Sequence, residues 1–260
     1  METTGALTDY VDVAQLTLYA FWLFFFGLVF YLRREDKREG YPLDPDGSRG
    51  ARGTFFPPVP RPKTFLLPQG HSYLAPPGAP ERKRLAARPV APWPGAPLQP
   101  TGDPMVDGLG PAAYADRRDE PDLTFENTNR IVPMRVATDF FVEPRDPDPH
   151  EMEVYGADGE LAGTVHEVWV DRSEPAMKYL EVRLDPSLGA SRRVLLPVNL
   201  ARIDGRKRQI KVESVLARQF ANAPPIKSAE QVTKLEEDKI TAYFAAGHLY
   251  AEPSRSASLL

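Results

Sequence analysis

The chain has 260 residues, of which 42% are hydrophobic and 26% charged, enough apolar content to bury a core over part of its length. A formal net charge of −4 gives no global attraction to nucleic acid, and the absence of cysteine excludes a disulfide framework, a thiolate metal site and a Cys nucleophile. The 28 prolines are too many for one tight globule, so where they fall decides the organisation.

Residues 13–32 read "VAQLTLYAFWLFFFGLVFYL", 20 positions without a charge. As a helix rising about 1.5 Å per residue, this run matches a bilayer's hydrocarbon thickness of about 30 Å. Asp9 and Asp12 precede it, and Arg33, Arg34, Lys37 and Arg38 follow at once. The positive-inside rule therefore puts the N-terminus outside and the rest of the chain in the cytoplasm. Tyr31 reads as an interfacial anchor, with Arg33 and Arg34 at the lipid headgroups. A cleaved signal peptide would need a basic start, a shorter apolar core and a small-residue cleavage site, none of which is present. Gln15 and Thr17 are the polar groups of the run, and they point to contact with a partner membrane helix.

Residues 41–121 hold 18 of the prolines, so regular helix or sheet cannot run far there. The segment nevertheless keeps Phe55, Phe56, Phe65, Leu66, Leu67, Tyr73, Leu74 and Trp93. Extended chain carrying aromatics fits docking across a large partner surface better than a free tether. "ERKRLAAR" at 81–88 is a basic cluster that suits either anionic headgroups or a solvated loop.

From residue 131 the texture changes. "RIVPMRV", "ELAGTVHEVWV", "KYLEVRL", "RRVLLPV" and "RQIKVESV" are short apolar and β-branched runs, separated by turn signals at 157–159, 185–189 and 204–207. They predict a compact antiparallel sheet or barrel. In "TVHEVWV" neither alternating face is polar, so that strand is covered on both sides. Ser228 and Gln231 read as a capping box ahead of a helix carrying Val232, Leu235, Ile240, Tyr243 and Phe244, with Gly247 near its end. The trio Glu236, Glu237 and Asp238 reads as a solvated face.

No phosphate-binding glycine loop, H-E-x-x-H or G-x-S-x-G is present, and His71, His150, His166 and His248 are scattered. The stretch "VWVDRSEPAMKYLEV" at 168–182 sets Asp171, Glu174, Lys178 and Glu181 around a turn. By residue chemistry alone, a solvated turn is its better reading.

The motifs "REGYPL" (38–43), "PKTFLLP" (62–68), "PTGDPMVDGLGPAAYADRRD" (100–119), "WVDRSEPAMKYLEV" (169–182) and "LEEDKITAYFAAGHLYA" (235–251) appear in that order. Together they resemble the H subunit of the photosynthetic reaction centre of purple bacteria, and the resemblance runs from the span to about residue 251. It implies a single transmembrane α-helix plus a mainly-β cytoplasmic domain with a PRC-type β-barrel and a C-terminal helix. The implied division is a periplasmic N-terminus at 1–12, the transmembrane helix at 13–32 and a Pro-rich segment docked on partner subunits at 33–121. A β domain follows at 122–227, with the barrel at about 145–215, and a C-terminal helix and tail at 228–260.

The resemblance further implies a non-catalytic accessory subunit that caps the cytoplasmic face of the L and M subunits. It implies no cofactor bound by this chain alone. Bacteriochlorophyll, bacteriopheophytin, quinones and non-haem iron sit in L and M, within a bacterial inner or chromatophore membrane. Further partners implied are membrane lipids and, in the same complex, a cytochrome subunit and light-harvesting antenna, with no nucleic acid. Because a buried quinone needs two protons to become quinol, the family's acids near it form a route for protons. By motif match these are Glu174 with Asp171 beside it, Lys178 where an Arg is expected, Asp122, Glu126 and Glu237. Lys178 would supply a point charge rather than a bidentate fork. After "RRD" this chain has Thr124, Glu126 and Thr128 and lacks the histidines of some relatives, so the resemblance implies no zinc site there. The contrary reading is a membrane-anchored PRC-barrel adaptor without a photosynthetic role, which pigment co-purification would distinguish.

Overall fold

The computed structural model describes residues 12–41, 56–76, 85–93, 95–189 and 192–257. The N-terminal stretch 1–11 and residues 81–84 of the basic cluster lie outside them. The chain divides into two compact units, Met1–Arg84 with Pro89–Pro97, and Leu85–Arg88 with Leu98–Leu260.

In the first unit, helix α1 (Val13–Asp36) begins where Asp12 accepts a hydrogen bond from the Gln15 amide at 2.7 Å. It is the one helix among the described residues long and apolar enough to cross a membrane, and none of its residues is buried by the protein itself. The Thr17 hydroxyl donates to the Val13 carbonyl at 2.8 Å, which satisfies it within the helix. Tyr31 is exposed, and Arg33 pairs with Asp36 at 3.5 Å. Arg38 is buried just past the helix end. It pairs with Glu35 at 2.6 Å and donates to the carbonyls of Arg61 and Ala75. Those contacts fasten a hairpin of β1 (Lys63–Leu66) and β2 (Ser72–Ala75), whose Phe65, Leu66, Tyr73 and Leu74 remain exposed. Strands β3 (Ala87–Pro89) and β4 (Leu98–Pro100), which fall largely in the second unit, form another short pair.

The second unit is built on a seven-stranded, curled half-barrel sheet. Its strands are β5 (Ile131–Pro133), β6 (Glu153–Tyr155), β7 (Leu161–Asp171), β8 (Ala176–Leu184), β9 (Arg193–Pro197), β10 (Arg202–Asp204) and β11 (Gln209–Lys211). The order is β10-β11-β6-β7-β8-β9, with β5 also on β7. Strand β7 organises the sheet: β8 covers one edge, while β6 pairs with the start of the other edge and β5 with its end. The β7–β8 register shifts between Val165 and Glu167 and again between Trp169 and Val170, which bends the ladder. Residues 167–171 are all buried, as the two-sided pattern of the sequence predicts. The sheet is mixed rather than antiparallel throughout, because the β10–β11 hairpin returns so that β11 runs parallel to β6.

Trp169, Tyr179, Phe220, Phe244 and Ile240 are fully buried between this sheet and helix α2 (Lys234–Tyr250), each contributing about 1.5–3 kcal/mol by burial. The indole Nε1 of Trp169 donates to Glu181 at 2.9 Å, and Arg193 neutralises Glu181 at 3.1 Å, so these polar atoms stay satisfied inside the core.

Helix α2 departs from expectation at its start. Its capping box is Thr233 with Glu236, not Ser228 with Gln231. The Ser228 hydroxyl instead accepts from the Glu230 amide at 3.2 Å, and Gln231 accepts from Asn129 at 2.9 Å. Gly247 lies near the other end, as expected, in the last turn against Ser214 and Val215, where a Cβ would collide with the Ser214 carbonyl. Helix α3 (Pro253–Ala257) closes the unit through Arg255, which donates to the Ser214 and Gly247 carbonyls at 2.8 Å each.

The expected division at residue 121 differs from the packing. Residues 98–121 belong to the second unit: Ala115 donates to Asp238 at 3.3 Å, Asp119 accepts from Thr233 at 2.8 Å, and Pro121 bridges to Thr233. The last part of the Pro-rich segment therefore lies on this chain's own C-terminal helix.

Candidate functional site

The turn between β7 and β8 begins with Asp171, whose side chain is 3% exposed. Pairing of Ile131 with Asp171 in the β5–β7 ladder brings Arg130 against this carboxylate from 41 positions away. The guanidinium donates to Asp171 through Nε at 2.9 and 3.0 Å, and its Nη2 lies 2.8 Å from Asp171 Oδ2 as an ion pair. The same carboxylate accepts from the Ser173 and Glu174 amides at 2.9 and 3.2 Å, so Asp171 also shapes the turn. Burial opposes its ionisation. The Arg130 hydrogen bond, the two amides and the guanidinium charge outweigh that and hold the carboxyl below its usual range. Reciprocally, the Asp171 hydrogen bond raises Arg130. Arg130 continues to Asp122 at 3.3 Å and to Glu174 at 3.7 Å. The Glu174 side chain is 82% exposed, so the turn puts one acid in the core and the next in solvent.

Beside this network lies a cavity of about 570 Å³. Asp122, Asp171, Lys178 and Glu237 all line it, with Arg130 and Tyr179. The structure therefore gathers four of the six ionisable residues carried over from the resemblance, and Arg130 ties Glu174 to them. Glu126 sits apart, exposed in a turn closed by the hydroxyls of Thr124 and Thr128 at 2.9 Å.

Glu237 projects from α2 to the opposite wall. Burial raises its carboxyl above the usual range, against the opposing pull of the Tyr179 hydroxyl, which donates to Glu237 Oε2 at 3.2 Å. Burial also pushes the Tyr179 phenol up. The acidic trio is thus not a solvated face. Glu236 is buried in the capping box and accepts from the Lys227 and Thr233 amides at 2.8 Å each, Glu237 meets Tyr179, and Asp238 pairs with Arg117 at 3.0 Å. Arg130, Tyr179, Lys234 and Arg117 had no distinguishing signal in the sequence. Only the inward phase of "KYLEV" hints at Tyr179.

Two further features lie on the same unit. Across the β7–β8 turn, Phe140, Phe141, Pro175 and Met177 line an apolar groove of about 650 Å³, with Asp139, Glu143 and Asp146 at its sides. Ahead of β6, His150 bridges Asp148 at 2.6 Å and Glu167 of β7 at 3.3 Å. Burial opposes protonation of this imidazole, but the two carboxylates outweigh it and raise His150. Among the described residues no cluster of three or more His, Asp or Glu is arranged to hold a metal ion.

A helix that fits a single-pass membrane anchor is thus followed in sequence by a half-barrel sheet with an ionisable cavity. Residues 142–219 match the PRC-barrel domain, and residues 5–136 match the photosynthetic reaction centre, H-chain N-terminal region. The chain belongs to the photosynthetic reaction centre H-chain family, a structural subunit of a photochemical complex that associates with other reaction centre subunits.

Proposed function

We propose that this chain caps the cytoplasmic face of the L and M subunits and contributes acids to the path by which protons reach their secondary quinone. In this reading residues 1–12 are periplasmic, 13–32 cross the membrane, and the Pro-rich segment up to about residue 97 lies across the partner subunits. Bacteriochlorophyll, bacteriopheophytin, quinones and non-haem iron stay with L and M.

The observation that carries the reading is the convergence of Asp122, Asp171, Lys178 and Glu237 on one cavity, with Glu174 joined to it through Arg130. Protons cross protein along ionisable side chains and water, and such a path needs acids of different proton affinity in reach of each other. Glu237, raised by burial, supplies the acid of higher proton affinity at the cavity, while Asp171, held below the usual range, builds the site through Arg130. Two unburied apolar surfaces support docking: the β1–β2 hairpin and the groove beside the 172–175 turn.

The test is Glu174→Gln in the assembled complex. The proton-coupled second electron transfer to the quinone, followed by flash-induced absorbance, slows. An unchanged rate across about pH 6 to 9 removes Glu174 from the path.

A further inference from the structure

Tyr179 is 1% exposed and its ring belongs to the sheet core, yet its hydroxyl reaches the cavity wall. There it donates to Glu237, and Thr241, one turn along α2, lines the same cavity. Packing fixes the ring, so this donor is aimed in advance and needs no reorganisation when Glu237 changes charge.

The other groups facing Glu237 are engaged elsewhere or act at longer range. From the loop before β5, Arg130 is committed to Asp171 and Asp122. On its own helix, Lys234 pairs with Glu120 and Asp122, and Asp238 with Arg117. From β8, Lys178 acts on Glu237 through its charge alone. Among the described residues Tyr179 is the one side chain that donates a hydrogen bond to this carboxylate.

We propose that Tyr179 is a positioning residue: its hydroxyl fixes the Glu237 carboxyl at the cavity wall and sets the pH at which that carboxyl exchanges its proton with the cavity. The donated hydrogen bond stabilises the ionised form. Without it, Glu237 keeps the cost of burial, loses its compensation and retains its proton to higher pH. The consequence for quinone reduction rests on the function proposed above, whereas the titration of Glu237 does not.

The experiment uses the assembled complex. The infrared C=O band of protonated Glu237, assigned by its loss in Glu237→Gln, is followed across pH. In Tyr179→Phe, which keeps the ring, the band's midpoint moves upward by about one pH unit, the scale of one charge-assisted hydrogen bond. A purely structural Tyr179 would lower stability without moving the band. A wild-type band that does not titrate, or a Tyr179→Phe midpoint equal to wild type, overturns the proposal. If Tyr179→Phe does not assemble, a fluorinated tyrosine incorporated at position 179, a stronger donor on the same ring, lowers the midpoint, and an unmoved midpoint overturns the proposal. A shifted band beside an unshifted pH profile of the second electron transfer upholds the Tyr179–Glu237 relation and removes Glu237 from the proton path.

Discussion

Replacing Asp171 by Asn separates a scaffolding role from a proton-carrying one. The wild-type carboxylate takes two guanidinium nitrogens and two turn amides. Asn keeps the shape and one acceptor oxygen, but it turns an amide NH2 toward the guanidinium and removes the negative charge. Breaking a buried pair in this way costs about 3–5 kcal/mol. Arg130 is 28% exposed and keeps Asp122, so the lower end, about 3 kcal/mol, applies. The double variant with Arg130→Met leaves no unpaired charge, and its cost falls short of the sum of the singles by about 2 kcal/mol. Because the folded carboxyl is held below its ordinary value of 3.8, its contribution is present above that value. It is lost only as pH falls through the lower folded value, so neutral solution reports the full loss. Urea unfolding of the detergent-solubilised full chain measures the stabilities. In the assembled complex proton uptake persists, its midpoint moved only through the changed field on Asp122 and Glu174. A stability loss under about 0.5 kcal/mol, additive behaviour in the cycle, or abolished proton uptake refutes the assignment of Asp171 as a locked anion.

Gly247→Ala sets helix propensity against packing. Propensity alone predicts a gain of about 1 kcal/mol, whereas the collision with Ser214 predicts a loss of about 1–3 kcal/mol, so a stabilised variant in urea denaturation sinks the packing argument. His150→Gln tests the bridge between Asp148 and Glu167. Since the folded imidazole is raised above 6.5, its contribution is full below that pH and is lost as pH rises through the folded value. Urea midpoints of the wild type fall across that window while those of the variant stay flat, and parallel curves contradict the bridge.

The span and the strands were legible because their signals are local: an uncharged run of bilayer length, and β-branched runs between turn residues. The cap of α2 was misplaced for a local reason too. S-x-x-Q at 228–231 and T-x-x-E at 233–236 both satisfy the pattern, and tertiary contacts choose between them. Glu236 gains the Lys227 amide as well as Thr233, whereas Ser228 spends its hydroxyl on a turn. The site was legible only in its acids, through the chain-wide resemblance. Arg130 was invisible because its position depends on β5 pairing with the end of β7, a register that no periodicity in "NTNRIVP" encodes. The same blindness made Glu236, Glu237 and Asp238 look like a solvated face, since the sheet and the 110–121 segment that cover them are remote in sequence.

The cavity's arrangement also bears on which residues can carry a proton. A group that relays protons must visit both charge states near the working pH. Asp171 cannot, because Arg130 and two amides hold it ionised. Its contribution is indirect: it fixes the turn that presents Glu174 and occupies the guanidinium that also touches Asp122 and Glu174. Arg130 therefore couples three acids, and a change at any one alters the field on the other two. Glu237, on α2, is raised by burial against the pull of the Tyr179 hydroxyl and the charge of Lys178. The surroundings thus drive two carboxylates on one cavity apart in proton affinity, Asp171 lowered by Arg130 and the turn amides and Glu237 raised by burial.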